Sequence, residues 1–367
     1  MAAADATPPG DIFATIRATC AAAVAASGGL VAVDAAAAAA FAATLPAAVA
    51  ADASLGGDGV DFPLALDAED DVVDCTLLFA LLAFGSGFRR ELHAALGAGA
   101  SDTMVRGQLK FYLEGRRPTA GVLAHFRIAD VAATWDIPLS VDAPAVTAAG
   151  AALPGVTMSA PGPLRPLAEA IARVLTTTGA ELRGAGAGSF AAFLRARAGD
   201  FRGAGGAPDA GKFVALLGAT FAGFRDDARG PFGRVALYKK AQLAAKELAR
   251  KFPASPVWGF APAEVARLTC FADNVLPAVL RAAGVLVLAP ALGAAIDAGD
   301  ALPAADGRDA LLRAAAVLAV DAVAAAAAAA GAEPATPARA DELLWRLGKQ
   351  PAYRALQRHA TKDTVFY

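Results

Sequence analysis

Cysteine is scarce: Cys20, Cys75 and Cys270 stand far apart in 367 residues, and their number is odd. No CxxC pair or Cys/His cluster accompanies them, so neither a disulfide framework nor a zinc site is supported, and a reducing intracellular compartment fits. Histidine is equally rare. His93, His125 and His359 show no paired metal-ligand spacing, and each reads as a surface or packed side chain. An excess of one charge is also lacking, since 33 Lys+Arg against 35 Asp+Glu leave a formal charge of −2. A nonspecific nucleic-acid binder needs a clustered positive field, so no direct nucleic-acid partner is expected. The start, Met1-Ala2-Ala3-Ala4-Asp5, lacks the basic residues and apolar core of a secretory signal. The most membrane-like run, Ala314 to Ala330, is interrupted by Asp321 and is mostly alanine. A packed core helix is expected there rather than a span, with no membrane partner and a cytoplasmic location.

What is abundant is alanine, which makes up much of the 56% hydrophobic content and favours helix while burying little area per residue. The expected helices are 12–26, 34–50, 72–84, 103–113, 120–126, 129–135, 164–177, 190–198, 213–224, 235–252, 263–283, 308–330 and 340–347. Asp52 to Asp61 reads as a Gly/Asp loop, and Pro144 to Pro163 as a linker or long surface loop. Few segments alternate with period two. The fold class is therefore mostly α with little β, a single compact helical fold. It divides into an N-terminal part, 1–150, and a C-terminal part, 151–367, that carries the motifs, read by length as halves of one intimate unit.

Two glycine-rich motifs lack their required context. Gly206 to Lys212 has the spacing of a phosphate-binding loop, but Phe213 follows where Ser or Thr would coordinate magnesium, and no strand precedes. A surface turn is expected. Ser86 is flanked directly by Gly85 and Gly87, whereas a nucleophile elbow has its glycines two positions away on either side.

The stretch Leu268 to Pro277 is mostly apolar with one carboxylate, Asp273, at its centre. Pro277, four residues on, cannot bond back to the carbonyl of Asp273, so a helix should kink or end there. Asp273 then either caps a local turn or pairs with Arg267 or Arg281, or it has a chemical task, since burying an idle charge is costly. Lys239 and Lys240 precede Glu247 and Lys251. They read either as an exposed, salt-bridged helix face or as a phosphate clamp assisted by Arg225 or Arg234.

Four blocks in order carry a family resemblance: Gly188-Ser189-Phe190; Val235 to Gln242, with Tyr238-Lys239-Lys240-Ala241-Gln242; Leu268 to Pro277, with Phe271-Ala272-Asp273; and Asp341-Glu342-Leu343-Leu344-Trp345 with Val365-Phe366-Tyr367. Phe213 to Asp227 also fits. The chain resembles the queuosine salvage protein family, the queuosine 5′-phosphate N-glycosylase/hydrolases, from about Leu164 to Tyr367. The resemblance implies a helical fold similar to that of DNA glycosylases. It also implies hydrolysis of a 7-deazaguanine nucleoside 5′-monophosphate to the free base, queuine, for salvage into tRNA modification. The substrate partner would be a small nucleotide, with no metal or other cofactor required. Asp273 would be catalytic and Phe271 a wall for the base. Asp341 would accept the base's N–H groups, Trp345 would support the wall, and Lys239, Lys240 and Arg225 would hold the phosphate. Two positions depart from the family: Glu342 replaces a tyrosine and Arg346 replaces an acid, at sites that would contact the base. A Glu342–Arg346 salt bridge is expected between them. The segment Phe84 to Arg89 departs from an Asn-Phe-aromatic element. These departures keep open a catalytically altered base-binding relative, and a helical interaction protein without a small-molecule site. Convergence of Phe271, Asp273, Asp341 and Lys239 or Lys240 on one cavity would separate the enzyme from the interaction protein.

Overall fold

Alanine shapes the centre of the molecule. The computed structural model describes residues 10–57, 59, 62–146 and 151–367. The Met1–Asp5 reading lies outside these, as do residues 58, 60 and 61 of the Gly/Asp loop and 147–150 of the Pro/Gly-rich stretch. Helix Arg308–Ala329 is buried on most sides, and helices Ile12–Ala26, Ala35–Ala51, Val275–Ala282 and Pro337–Leu347 pack around it. Its small side chains permit close approach. By length and composition it could cross a membrane, but 67% of its apolar window is buried among these neighbours. A second layer joins helix Lys239–Lys251 to Glu69–Leu81 and Ala210–Thr220. Several helix starts fall where side-chain acceptors stand. Asp34 accepts from the Ala37 N–H at 2.9 Å and Asp209 from the Lys212 N–H at 2.9 Å, each satisfying an orphan donor of the first turn. The Asp209 cap places the Gly206–Lys212 motif in a loop and helix start that follow a 3-10 turn, not a strand.

Among the described residues the fold is mostly α, with three two-stranded antiparallel ladders. Val31–Val33 pairs with Leu286–Leu288, tying the N-terminal part to the C-terminal part. Asp227–Gly230 and Gly233–Ala236 form a hairpin, so helix 235–252 of the sequence reading begins only at Lys239. Ser140–Val146 and Ala152–Pro161 form another hairpin where a linker was expected. In a two-stranded ladder both strands are edges, so Pro144 and Pro154 can turn their donor-less nitrogens outward.

The expected helix 263–283 is broken. Only Pro262–Ala266 and Val275–Ala282 are helical, and the chain between them runs irregularly through Asp273. Pro277 lies in the first turn of the second helix, where a missing N–H costs nothing.

Candidate active site

The irregular run from Leu268 to Asn274 is buried, so its backbone groups need partners. Three side chains supply them. Gln242 accepts from the Thr269 N–H at 2.9 Å, and its amide donates to Thr269 Oγ1 at 2.9 Å. Asp341 Oδ1 accepts from the Phe271 N–H at 2.7 Å. Arg313 Nε donates to the Ala272 carbonyl at 2.9 Å, while its other nitrogens hold buried Asp226. Asp273 Oδ1 accepts from the N–H groups of Val275 at 2.7 Å and Leu276 at 3.3 Å, capping the next helix. The capping reading of Asp273 therefore describes one of its oxygens. Oδ2 has no hydrogen-bond donor among the described residues, and Asp273 lines a cavity of about 450 Å³.

Helices deliver the remaining walls in register. Lys239, Leu243 and Glu247 face the cavity from one helix, at steps of four. Asp341, Glu342, Trp345 and Arg346 face it from Pro337–Leu347, and Lys349 follows. Tyr238, just before Lys239, adopts φ +48, an uncommon conformation for a bulky side chain, and its hydroxyl bonds Asp227 Oδ2 at 3.1 Å. The strained residue fixes the angle at which Lys239 enters. Lys239 Nζ donates to the Ala83 carbonyl at 2.8 Å.

Phe271, Asp273, Asp341, Glu342, Trp345, Arg346 and Lys239 thus share one cavity, as a small-molecule site requires. Two expected phosphate ligands do not line it. Lys240 is fully buried, donates to the Leu81 carbonyl at 2.5 Å and lies 4.4 Å from the Phe84 ring centroid. Burial and its neighbour Lys239 hold its pKa well below the usual lysine value. Arg225 donates to the carbonyls of Gly218 and Ala219 at 2.9 Å each, capping the end of helix Ala210–Thr220. Its suggested helper Arg234 is paired with Asp227. Nor is Lys239–Lys240 an exposed face, for both side chains are buried. The expected Glu342–Arg346 bridge is also absent. Glu342 pairs with Lys246 and Arg339, and Arg346 donates to backbone carbonyls.

Sequence reasoning missed further cations that line the cavity. Arg89, His93, Lys349, Arg354 and Arg358 all line it, and Ser86 stands one turn before Arg89. Arg358 is 9% exposed, its Nε is buried without a hydrogen-bond partner, and burial with Arg89 nearby lowers its pKa to about 10. Ser86 Oγ is likewise buried and unpartnered. Among the described residues no carboxylate pairs with Arg89, Lys349, Arg354 or Arg358, although Asp102 lines the same cavity. Arg358 is the buried one of the four; a buried cation without a counter-charge is costly, and an anion would relieve it. The only signal in the sequence was the spacing of Ser86, Arg89 and His93 at i, i+3 and i+7, which one local helical stretch would align.

Electrostatic coupling links the charged groups of the cavity. Asp273 acts on Lys349 and Arg358, and also on Asp341 and Lys239. Burial and then Asp273 push Asp341 up to about 7. Burial pulls Lys239 down to about 8, against the upward pull of Asp273. Among the described residues no group of three His, Cys, Asp or Glu side chains could hold a metal ion.

Comparison with known proteins places the chain in a family. A family model described as queuosine salvage protein matches residues 156–367. The queuosine 5′-phosphate N-glycosylase/hydrolase of Sphaerobacter thermophilus is 31% identical over 202 residues, which cover 55% of this chain and 58% of that protein. The match therefore spans somewhat more than half of the relative's length. Lys239, Phe271, Asp273, Asp341 and Arg358 fall within the segment matched by the family model, whereas Ser86, Arg89 and His93 precede it. With more than half of its length matched by the model, the chain belongs to the queuosine salvage protein family.

Proposed function

We propose that the protein hydrolyses the N-glycosidic bond of queuosine 5′-monophosphate or a related 7-deazaguanine nucleotide, inside the cell. The observation that carries this reading is the convergence on one cavity of Asp273, Asp341 and the cations Arg89, Lys349, Arg354 and Arg358, which have no carboxylate partner among the described residues. A nucleotide brings a matching set of parts: phosphate, ribose, base. The cations Arg89, Lys349, Arg354 and Arg358 take the dianionic phosphate through charge-assisted hydrogen bonds. The anomeric carbon then falls beside Asp273. Cleavage of the C–N bond builds positive charge on the ribose, and the Asp273 carboxylate stabilises that charge or attacks the carbon. Water supplies a hydroxyl to the sugar and a proton to the departing base, giving ribose 5-phosphate and the free base. Phe271 and Trp345 wall the base, and Asp341 receives its N–H groups. No step needs a metal or redox group. Three free, buried cysteines suit a reducing compartment.

Glu342 and Arg346 motivate a second reading, a relative that binds a base or nucleotide without cleaving it. Incubation of the pure protein with queuosine 5′-monophosphate separates the two. Free queuine and ribose 5-phosphate in equal amounts support hydrolysis; tight binding without products supports the binding protein.

A further inference from the structure

Glu342 and Arg346 are both tied to one backbone segment. The Gly59 N–H donates to Glu342 Oε1 at 2.8 Å. The Arg346 guanidinium donates to the carbonyls of Gly59 at 2.9 Å and Ser54 at 3.4 Å. Arg339, one turn earlier, reaches the Gly57 carbonyl at 3.4 Å and Glu342 Oε2 at 3.0 Å. Glu342 is itself anchored by buried Lys246. The opposite side of the segment is equally close. A Cβ on Gly59 would come within 2.2 Å of Arg250 Nε and 2.7 Å of Glu247 Oε1, and the residue has φ +67. A Cβ on Gly57 would come within 2.8 Å of the Arg346 guanidinium carbon. At Gly59 the positive φ strains any other residue, whereas at Gly57 an added methyl meets only the end of the Arg346 side chain. Gly59, Glu247, Glu342 and Arg346 all line the cavity, and Lys246 pairs with Glu342.

We propose that Glu342 and Arg346 determine substrate specificity by clasping the backbone at Gly57 and Gly59 into an end wall, which limits the size of the substituent a bound base can carry. The inference rests on the nucleotide reading above, because the wall faces the base only when the phosphate is held by those cations. It assigns the two departures from the family a joint task that neither has alone. Their charges are engaged with protein groups, so they act on the base through the position of the wall rather than by reading its edge.

Two variants test the clasp from opposite sides. Arg346→Ala removes the guanidinium and strands no ion-pair partner, since Arg346 bonds only to carbonyls. Gly57 does not itself line the cavity and has φ −60, which alanine adopts freely, so Gly57→Ala acts through its methyl, which pushes the same Arg346 guanidinium aside. Equilibrium binding is measured by calorimetry for two 5′-monophosphates of 7-deazaguanosine, one unsubstituted at position 7 and one carrying the aminocyclopentenediol group. Both variants are expected to shift the affinity ratio toward the bulky ligand by roughly tenfold, the scale on which a pocket wall discriminates. An unchanged or opposite ratio, or a shift in only one variant, overturns the clasp while leaving the nucleotide reading intact. Failure of the wild-type protein to bind either ligand overturns both.

Discussion

Asp341 is a buried carboxylate that the fold does not welcome as an anion. Its pKa stands at about 7, against 3.8 ordinarily, with burial the larger cause and Asp273 the next. A raised folded-state pKa means stability that is present below about pH 4 and lost as the pH rises through about 7. Asp341→Asn keeps an oxygen for the Phe271 N–H and discards the charge. The variant is expected to be more stable than wild type at pH 8 by on the order of 2–4 kcal/mol, with little difference at pH 4. Denaturant unfolding at both pH values checks this, and equal differences at the two would contradict it. The same group sets activity in the opposite sense. An ionised Asp341 is needed to accept the base's N–H groups. kcat/KM is therefore expected to rise through about 7, and a flat profile from 5 to 8 would contradict the assignment. Asp273 and Asp341 were legible as candidates because each sits in a distinctive block of neighbours. Arg89, Arg354 and Arg358 were not, because Arg89 meets the Arg354–Arg358 segment only when two stretches 265 residues apart fold together.

At the scale of elements, the decisive feature is the irregular stretch between helices Pro262–Ala266 and Val275–Ala282. Gln242, Asp341 and Arg313 hold its backbone, so the Tyr238–Gln242 and Phe271–Asp273 blocks form one mechanical unit. Gln242→Ala strands the Thr269 N–H and is expected to cost about 1–3 kcal/mol, the penalty for a buried unsatisfied donor. It should also loosen Asp273 and lower kcat more than it raises KM. A variant that loses stability with kcat intact would show that Gln242 supports only the fold. Helix Ile12–Ala26 was legible to the residue, since Asp11 caps it and Ser27-Gly28-Gly29 ends it. The break within 263–283 was legible only through Pro277. Alanine and valine periodicity suited a continuous helix, and the partners that hold the unwound backbone lie 27 to 70 residues away in sequence. The hairpin from Ser140 to Pro161 was hidden for a different reason, because its proline and glycine content carries a loop signal whichever way the strands pair.

Across the whole molecule, one cavity takes walls from both halves of the chain: residues between Gly59 and Met104 from one half and between Lys239 and Tyr367 from the other. Neither half holds the site alone, which is why composition pointed to a helical protein but not to the cations proposed for the phosphate. Those cations predict a preference for the monophosphate over the bare nucleoside, and Arg358→Ala should reduce it by about tenfold or more, the worth of a charge-assisted bond. Equal kcat/KM values for nucleoside and monophosphate in the wild type would remove the phosphate from the account. The central claim concerns Asp273, and Asp273→Asn tests it while retaining the cap on Val275, since asparagine caps as well as aspartate. The measurement is the rate of free queuine release from queuosine 5′-monophosphate by the two proteins at equal concentration. The account predicts release by the wild type and a loss on the order of a hundredfold or more in the folded variant. Release at the wild-type rate by Asp273→Asn, or none by the wild type, would contradict it.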